Sequence, residues 1–308
     1  MEDAGTLWSA VAAAAAAAGW TIRATGIEAL PAAAGRVLEA AAGGGSSPGA
    51  VARMTGDLGA ASPPGWEDAA TLVVGATPRP LTRATLTVDG RERTVAVPPH
   101  YAGYATVPDG LADAVGAAVA PFGRRAARIE PALKTLAAGS GLARYGRNNV
   151  AYVPGLGSYV QLAACITDAP PPDGAVWTEP RMLDRCERCS ACVRACPTGA
   201  IRADRFLLDA ERCLTWVNED LAPFPSWVDP AWHTCAVGCL RCQLVCPENA
   251  SVELVVAAPE VFDTDESAAI LAATPADELP ADARAKLARC GLDYDPRLIA
   301  RNLRALAG

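Results

Sequence analysis

The chain has 308 residues, 51% of them hydrophobic and 20% charged, which is the balance of a folded globular chain of about two domains and excludes a disordered one. Its formal net charge of −7 excludes a generally basic nucleic-acid surface, though not a local arginine patch. Only Lys134 and Lys286 are lysines among 27 basic residues, a bias that reads as base composition of the source genome.

In chain order, the Ala-rich stretch 7–19 predicts a helix with Gly19 as its stop. Its apolar part, 11–18, is about half as long as a membrane-spanning helix. The acidic Glu2 and Asp3 before it argue against a signal peptide. The expectation is a cytoplasmic protein without a membrane span, where thiols stay reduced. Residues 43–48 read as a loop. The apolar run 69–75 predicts a buried strand. Alternating segments 84–88 and 93–97 flank Asp89-Gly90, a hairpin signal. Segments 111–119 and 130–138 predict helices, and 150–153 and 159–166 predict strands or buried segments. The prolines at 170–172 mark a boundary. Segments 198–201 and 206–209 predict a small hairpin. Segments 266–273, 281–287 and 295–306 predict helices, the last with arginines on one face. No repeat of fixed period is present. The whole reads as an α+β chain of three parts: an α/β region 1–175, a cysteine-dense region 176–258 and a helical tail 259–308.

The cysteines carry the chemistry. There are eleven, none before Cys165, and nine lie between Cys186 and Cys246. The first motif, Cys186-x2-Cys189-x2-Cys192-x3-Cys196-Pro197, has the spacing of a bacterial [4Fe–4S] ferredoxin loop, whose fourth cysteine serves the other cluster. Three thiolates two residues apart can wrap one cubane, and Pro197 pins the exit of the chain. The second motif, Cys239-x2-Cys242-x3-Cys246-Pro247, repeats the pattern without one upstream ligand. Each cluster takes four thiolates, so nine cysteines leave one spare. The expected sets are Cys186, Cys189, Cys192 and Cys246 for one cluster, and Cys196, Cys213, Cys239 and Cys242 for the other. Cys235 is the spare, with Cys213 and Cys235 both open as the eighth ligand. Paired CxxC motifs also build zinc sites, but those do not require the third cysteine or the following proline. Cys165 and Cys290 read as small buried hydrophobes. Trp216, Trp227 and Trp232 are candidates to shield the clusters or to pack a core. His233 is a candidate to hydrogen-bond near a cluster.

These residues resemble the epoxyqueuosine reductase family and, more distantly, the reductive dehalogenases. The likeness runs over about 137–250. Gly141-Leu142 with Tyr145-Gly146-Arg147-Asn148 is similar to the family's Gly-Leu-Gly-x-x-Gly-Lys-Asn stretch. Gly157-Ser158-Tyr159 and Ile166-Thr167-Asp168 resemble its Gly-Ser-Trp and Thr-Asp pair. Cys186 through Ile201 is similar to its first cluster motif, and Gly238 through Asn249 to its second. Leu208-Asp209 with Arg212-Cys213-Leu214-Thr215 resembles its Cys-Ile-Ser-Tyr segment, which favours Cys213 over Cys235. Arg301-Asn302 looks like the start of its C-terminal helical region.

The resemblance implies a cobalamin-binding α/β domain, related to flavin reductase-like folds, ahead of a ferredoxin-like domain with two [4Fe–4S] clusters. It implies electron flow from a ferredoxin or flavodoxin through the clusters to cobalamin, and the family's reduction of an epoxide on a modified tRNA base. The implied cofactor-binding residues are His100, Tyr101, Tyr104, Arg147, Asn148 and Ser158. Three departures stand out. The family's catalytic Asp is absent from the matching stretch 127–131, where Glu130 is the candidate acid. Arg147 replaces a Lys, keeping charge but not shape. The sequence ends at Gly308, where the family often continues into helical repeats that help hold tRNA, so tRNA and another substrate both stay open. Two readings follow: a cobalamin-dependent reductase, or a two-cluster electron carrier without its own catalysis.

Overall fold

The computed structural model describes residues 2–43, 46–56 and 58–307, so the loop expected at 43–48 lies partly outside the described residues. Helix α1 (Glu2–Ala17) leads to strand β1 (Thr21–Gly26), helices α2 (Ala29–Gly43) and α3 (Pro48–Thr55), and strands β2 (Thr71–Pro78), β3 (Thr82–Val88) and β4 (Arg91–Val97). Next come α4 (Asp109–Val119), β5 (Ala126–Ile129), α5 (Leu133–Gly139), β6 (Arg144–Tyr145), β7 (Ala151–Tyr152) and β8 (Val160–Thr167). Three short helices follow, α6 (Ala191–Ala195), α7 (Leu214–Asn218) and α8 (Arg241–Leu244). Strand β9 (Glu260–Val261) and helices α9 (Thr264–Leu271), α10 (Ala281–Cys290) and α11 (Pro296–Ala307) complete the described chain. No described helix is long and apolar enough to cross a membrane.

Two compact units result. The first takes Met1–Pro78, Ala105–Cys189 and Asp204–Leu207, and the second Arg79–Tyr104, Ser190–Ala203 and Leu208–Gly308. In the first unit, four antiparallel strands run in the order β1-β2-β8-β5. Strand alternation sends Leu72, Val74, Ala76, Ala164 and Ile166 to one face, against Ala29, Leu30 and Ala33 of α2 and Leu136 and Ala137 of α5. It sends Val73, Ala163 and Cys165 to the other, against Val11 and Ala15 of α1 and Leu111, Val115 and Val119 of α4. With helices on both faces, β2 and β8 are buried on both sides, which is why they read as unbroken apolar runs. Each fully buried Leu or Val contributes about 1.5–3 kcal/mol.

In the second unit, Asp89 (φ 50) and Gly90 (φ 73) are both left-handed, the backbone of the two-residue turn that matches strand twist. The inner face of this β3–β4 hairpin, Ala84, Leu86, Val88, Val95 and Val97, packs with Ile270, Leu287, Leu298, Ile299 and Leu303 of the three last helices. Ala236 and Val237, just ahead of Cys239, belong to the same core. Hairpin and tail, far apart in the chain, thus share one apolar interior. Helix α9 opens with a reciprocal capping box between Asp263 and Glu266.

Two expectations change. The helix expected at 130–138 begins at Leu133, leaving Glu130 outside, because Pro131 disfavours helical geometry in the residue before it. Segments 198–201 and 206–209 form no strands. One backbone bond, Asp209 N–H to the Ala200 carbonyl (2.8 Å), is what remains of the hairpin. Phe206 packs edge-on against Tyr145 instead, with ring centroids 5.0 Å apart.

Candidate iron–sulfur site

The first cysteine motif is built from tight turns. Cys186 N–H bonds the Leu183 carbonyl (2.9 Å) and Cys189 N–H the Arg185 carbonyl (3.1 Å). Helix α6 then carries Cys192, and Cys196 N–H bonds the Cys192 carbonyl (3.1 Å). Cys196 is extended (φ −78, ψ 109), so Pro197 leads the chain away. The second motif repeats this. Cys242 lies on α8, Cys246 N–H bonds the Gln243 carbonyl (3.2 Å), and Cys246 is extended before Pro247. Within the second unit α6 lies against α8, so the two motifs meet there.

Burial divides the thiols. All eleven are free, and Cys165, Cys235 and Cys290 are fully buried. The eight expected ligands are all half-buried. Cys165 sits in the core beneath α1 and α4, and Cys290 in the core beneath the hairpin, with its Sγ donating to the Leu287 carbonyl (3.4 Å). Burial alone pushes the Cys165 thiol up to about 12. These are packing residues. Cys235 packs with Leu81 and Leu240.

The region around Cys213 and Cys239 has the donors a thiolate needs. Burial raises the Cys213 thiol, while the backbone N–H groups of Thr215 and Trp216 and the Thr215 hydroxyl point at its sulfur and favour the ionised form. Its thiol neighbour Cys196 raises it further. The Cys239 thiol is pushed up to about 12, chiefly by burial, against the opposing N–H of Arg241, and its thiol neighbours are Cys213 and Cys235. Cys196 Sγ also meets Thr198 Oγ1 at 3.4 Å. Half-buried thiols that resist ionisation alone, yet neighbour one another and face N–H donors, fit a site where bound metal would supply the compensating charge. Among the described residues, no three His, Cys, Asp or Glu side chains converge closely enough to chelate a single ion. Trp232 packs with Cys239, Leu214, Val217 and Val228. Trp227 is 37% exposed and lies under the Arg212 guanidinium. His233 is buried against Phe224, ring centroids 4.7 Å apart, with both ring nitrogens lacking a partner.

The residues singled out for a further cofactor have their own uses. Tyr101 is buried and its hydroxyl donates to Glu219, while its ring packs on Gly238. His100 stacks on Tyr101 at 4.2 Å, and Tyr104 is exposed. Arg147 contacts Cys186, its N–H on Sγ at 3.4 Å and Nη2 on the carbonyl at 2.6 Å. Asn148 is buried and donates to the Tyr152 hydroxyl (2.9 Å), and Ser158 is buried. Glu130 is exposed and ion-paired to Arg128, which also holds Asp109 at 2.9 Å. Sequence reasoning did not find the Arg147–Cys186 contact or the Glu219 partner of Tyr101. Neither pairing leaves a spacing signal.

Residues 185–249 match the family described as 4Fe-4S double cluster binding domain. That segment is thus similar to an iron–sulfur double-cluster domain. An epoxyqueuosine reductase of Pseudomonas aeruginosa is 36% identical over 143 residues, 45% of this chain and 38% of that protein. That of Escherichia coli is 31% identical over 117 residues, 38% of this chain and 29% of that protein. The matched segment thus spans well under half the length of these relatives. A solved epoxyqueuosine reductase from Bacillus subtilis, captured with its catalytic aspartate loop swung out, covers 98% of this chain and 81% of its own at TM-score 0.67 and 19% identity. Another, solved with an epoxyqueuosine-modified tRNA stem loop, covers the same shares at TM-score 0.66 and 18% identity. Over the matched segment the chain is similar to the epoxyqueuosine reductases, and it shares their mixed α/β fold.

Proposed function

We propose that this chain is an iron–sulfur oxidoreductase in which two [4Fe–4S] clusters feed electrons to a cobalamin-dependent reduction. The observation that carries the reading is the division of thiols, seven half-buried in two spaced motifs with half-buried Cys213 between them, and three sealed in apolar cores. The ligand sets are Cys186, Cys189, Cys192 and Cys246, and Cys196, Cys213, Cys239 and Cys242. When bound, the clusters supply one-electron transfer. The chain's own part is to hold the thiols in turns, aim N–H groups at sulfur and exclude water from Cys213 and Cys239. Cys235 is the spare, because it is sealed among Leu81 and Leu240.

The cobalamin follows from the family likeness, with His100, Tyr104 and Ser158 the side chains to examine for it. The electron donor is a ferredoxin or flavodoxin, and the compartment is the cytoplasm, where thiols stay reduced. The substrate to try first is epoxyqueuosine in tRNA, after the relatives' names. Glu130 is the candidate acid, reachable from solvent beside Arg128. The deciding experiment is an anaerobic titration of cluster-loaded protein with cob(II)alamin, followed by EPR. A protein-bound cobalt signal is expected. Free cofactor at high concentration, with both clusters intact, would refute the reductase and leave an electron carrier.

A further inference from the structure

The turn from Tyr145 to Val150 is built around the segment that enters Cys186. Tyr145 N–H donates to the Arg181 carbonyl (2.9 Å), and Leu183 N–H returns a bond to the Tyr145 carbonyl (2.8 Å). Residues 181–183 are thereby held alongside Tyr145. Gly146 N–H bonds the Val150 carbonyl (2.8 Å) and Asn149 N–H the Gly146 carbonyl (2.9 Å), which closes the turn. Asn149 sits in the left-handed region at φ 60, and Lys134 Nζ donates to its carbonyl (3.1 Å) and its side chain (3.0 Å). Asn148 is locked beneath by Tyr152. A turn fixed at this many points presents Arg147 rigidly, and Arg147 applies both its ends to one residue. Its backbone N–H meets Cys186 Sγ at 3.4 Å, and its guanidinium meets the Cys186 carbonyl at 2.6 Å.

We infer that Arg147 sets the reduction potential of the cluster that Cys186 holds, raising it above what the thiolates alone would give. Reduction adds one negative charge to a cluster already carrying thiolates. An N–H donor on the ligand sulfur and a permanent cation on the ligand's own peptide favour the reduced form over the oxidised one. Arginine suits the task because its guanidinium donates directly to the Cys186 carbonyl while its backbone N–H meets the sulfur. The inference gives Arg147 a positioning and tuning role toward a thiolate. It rests on Cys186 being a cluster ligand.

The test begins with iron and sulfide counts on the parent protein, where about eight of each per chain are expected for two cubanes. Fewer in the parent would defeat the two-cluster reading before Arg147 is questioned. EPR-monitored redox titration then compares the parent with Arg147→Gln and Arg147→Lys. In Arg147→Gln one cluster is expected to move to lower potential, so that at its parent midpoint the reduced-to-oxidised ratio falls about tenfold, the effect of losing one charge-assisted hydrogen bond. The other cluster is expected to stay put, and Arg147→Lys to restore most of the shift. Parent-like potentials for both clusters in Arg147→Gln would overturn the inference. Should Arg147→Gln load only one cluster, Arg147→Lys decides. Two clusters in the Lys variant support the charge, and one cluster again overturns it.

Discussion

Gly238→Ala probes the contact that joins the second cysteine motif to the core beneath it. Gly238 has φ +65, and a Cβ there would lie 2.5 Å from the Tyr101 hydroxyl oxygen and 2.8 and 2.9 Å from two ring carbons. The backbone cannot rotate away freely, because the Gly238 carbonyl accepts from Asn218 Nδ2 at 2.8 Å. Tyr101 cannot swing aside either. It is 2% exposed, bonded to Glu219, and flanked by His100 and Tyr294 at 4.2 and 5.9 Å. Placing alanine in the left-handed region costs about 1 kcal/mol. Forcing a buried ring to shift costs about 1–3 kcal/mol more. The expected loss is about 2–4 kcal/mol, read by urea unfolding of the metal-free chain. Tyr101→Phe removes the atom of closest approach, so the double variant should lose less than the two singles together, by about 1 kcal/mol. A loss below about 1 kcal/mol, or strict additivity, would refute the reasoning. Because Cys239 is the next residue, iron content of the variant should fall with stability.

Four further outcomes are expected. Cys213→Ala should lose one cluster and Cys235→Ala keep both, and iron counts of about eight in both variants would show the ligand set wrong. Glu266→Ala removes the half of the α9 capping box in which the Glu266 carboxylate accepts from Asp263 N–H, and leaves Lys286, now 2.8 Å from Glu266, with Asp282 as its remaining carboxylate. The loss should be about 2–3 kcal/mol in denaturant midpoint terms, and a change within about 0.5 kcal/mol would contradict it. Burial first, then Arg301, holds the His233 imidazole below its ordinary value of 6.5. The unfolded chain therefore takes up the proton first, so this contribution is whole above pH 6.5 and is lost as pH falls below it. His233→Gln should flatten that acid limb, and an unchanged limb would exclude His233 as its source. Glu130→Gln should slow turnover of cobalamin-loaded protein if its carboxyl delivers the proton, and equal rates would remove it from the mechanism.

Much of the local structure was legible in the chain. The Asp89-Gly90 pair between alternating segments marks its hairpin because only residues tolerant of positive φ make that turn. The runs at 69–75 and 159–166 mark β2 and β8 because both strands are covered on two faces. Strand β1 and helices α2 and α3 went unread. Thr21–Gly26 mixes Thr, Ile, Arg and Ala at a half-covered edge, and Ala-rich helices carry little contrast between faces. In place of the expected 198–209 hairpin, Phe206 packs on Tyr145 and the Asp209–Ala200 backbone bond is what remains of the pairing.

By itself the sequence determined the cysteine spacing on which the proposed cluster ligation rests, since spacings of two and three residues are carried by a tight turn anywhere. Only the tertiary structure decided that Cys235 is sealed in a core while Cys213 is half-buried. It also decided that a hairpin near residue 90 shares its core with the last three helices, and that Arg147 closes on Cys186. The physical reason is separation. Spacing acts through a few bonds of backbone, whereas burial and long-range pairing depend on where chain segments meet after folding.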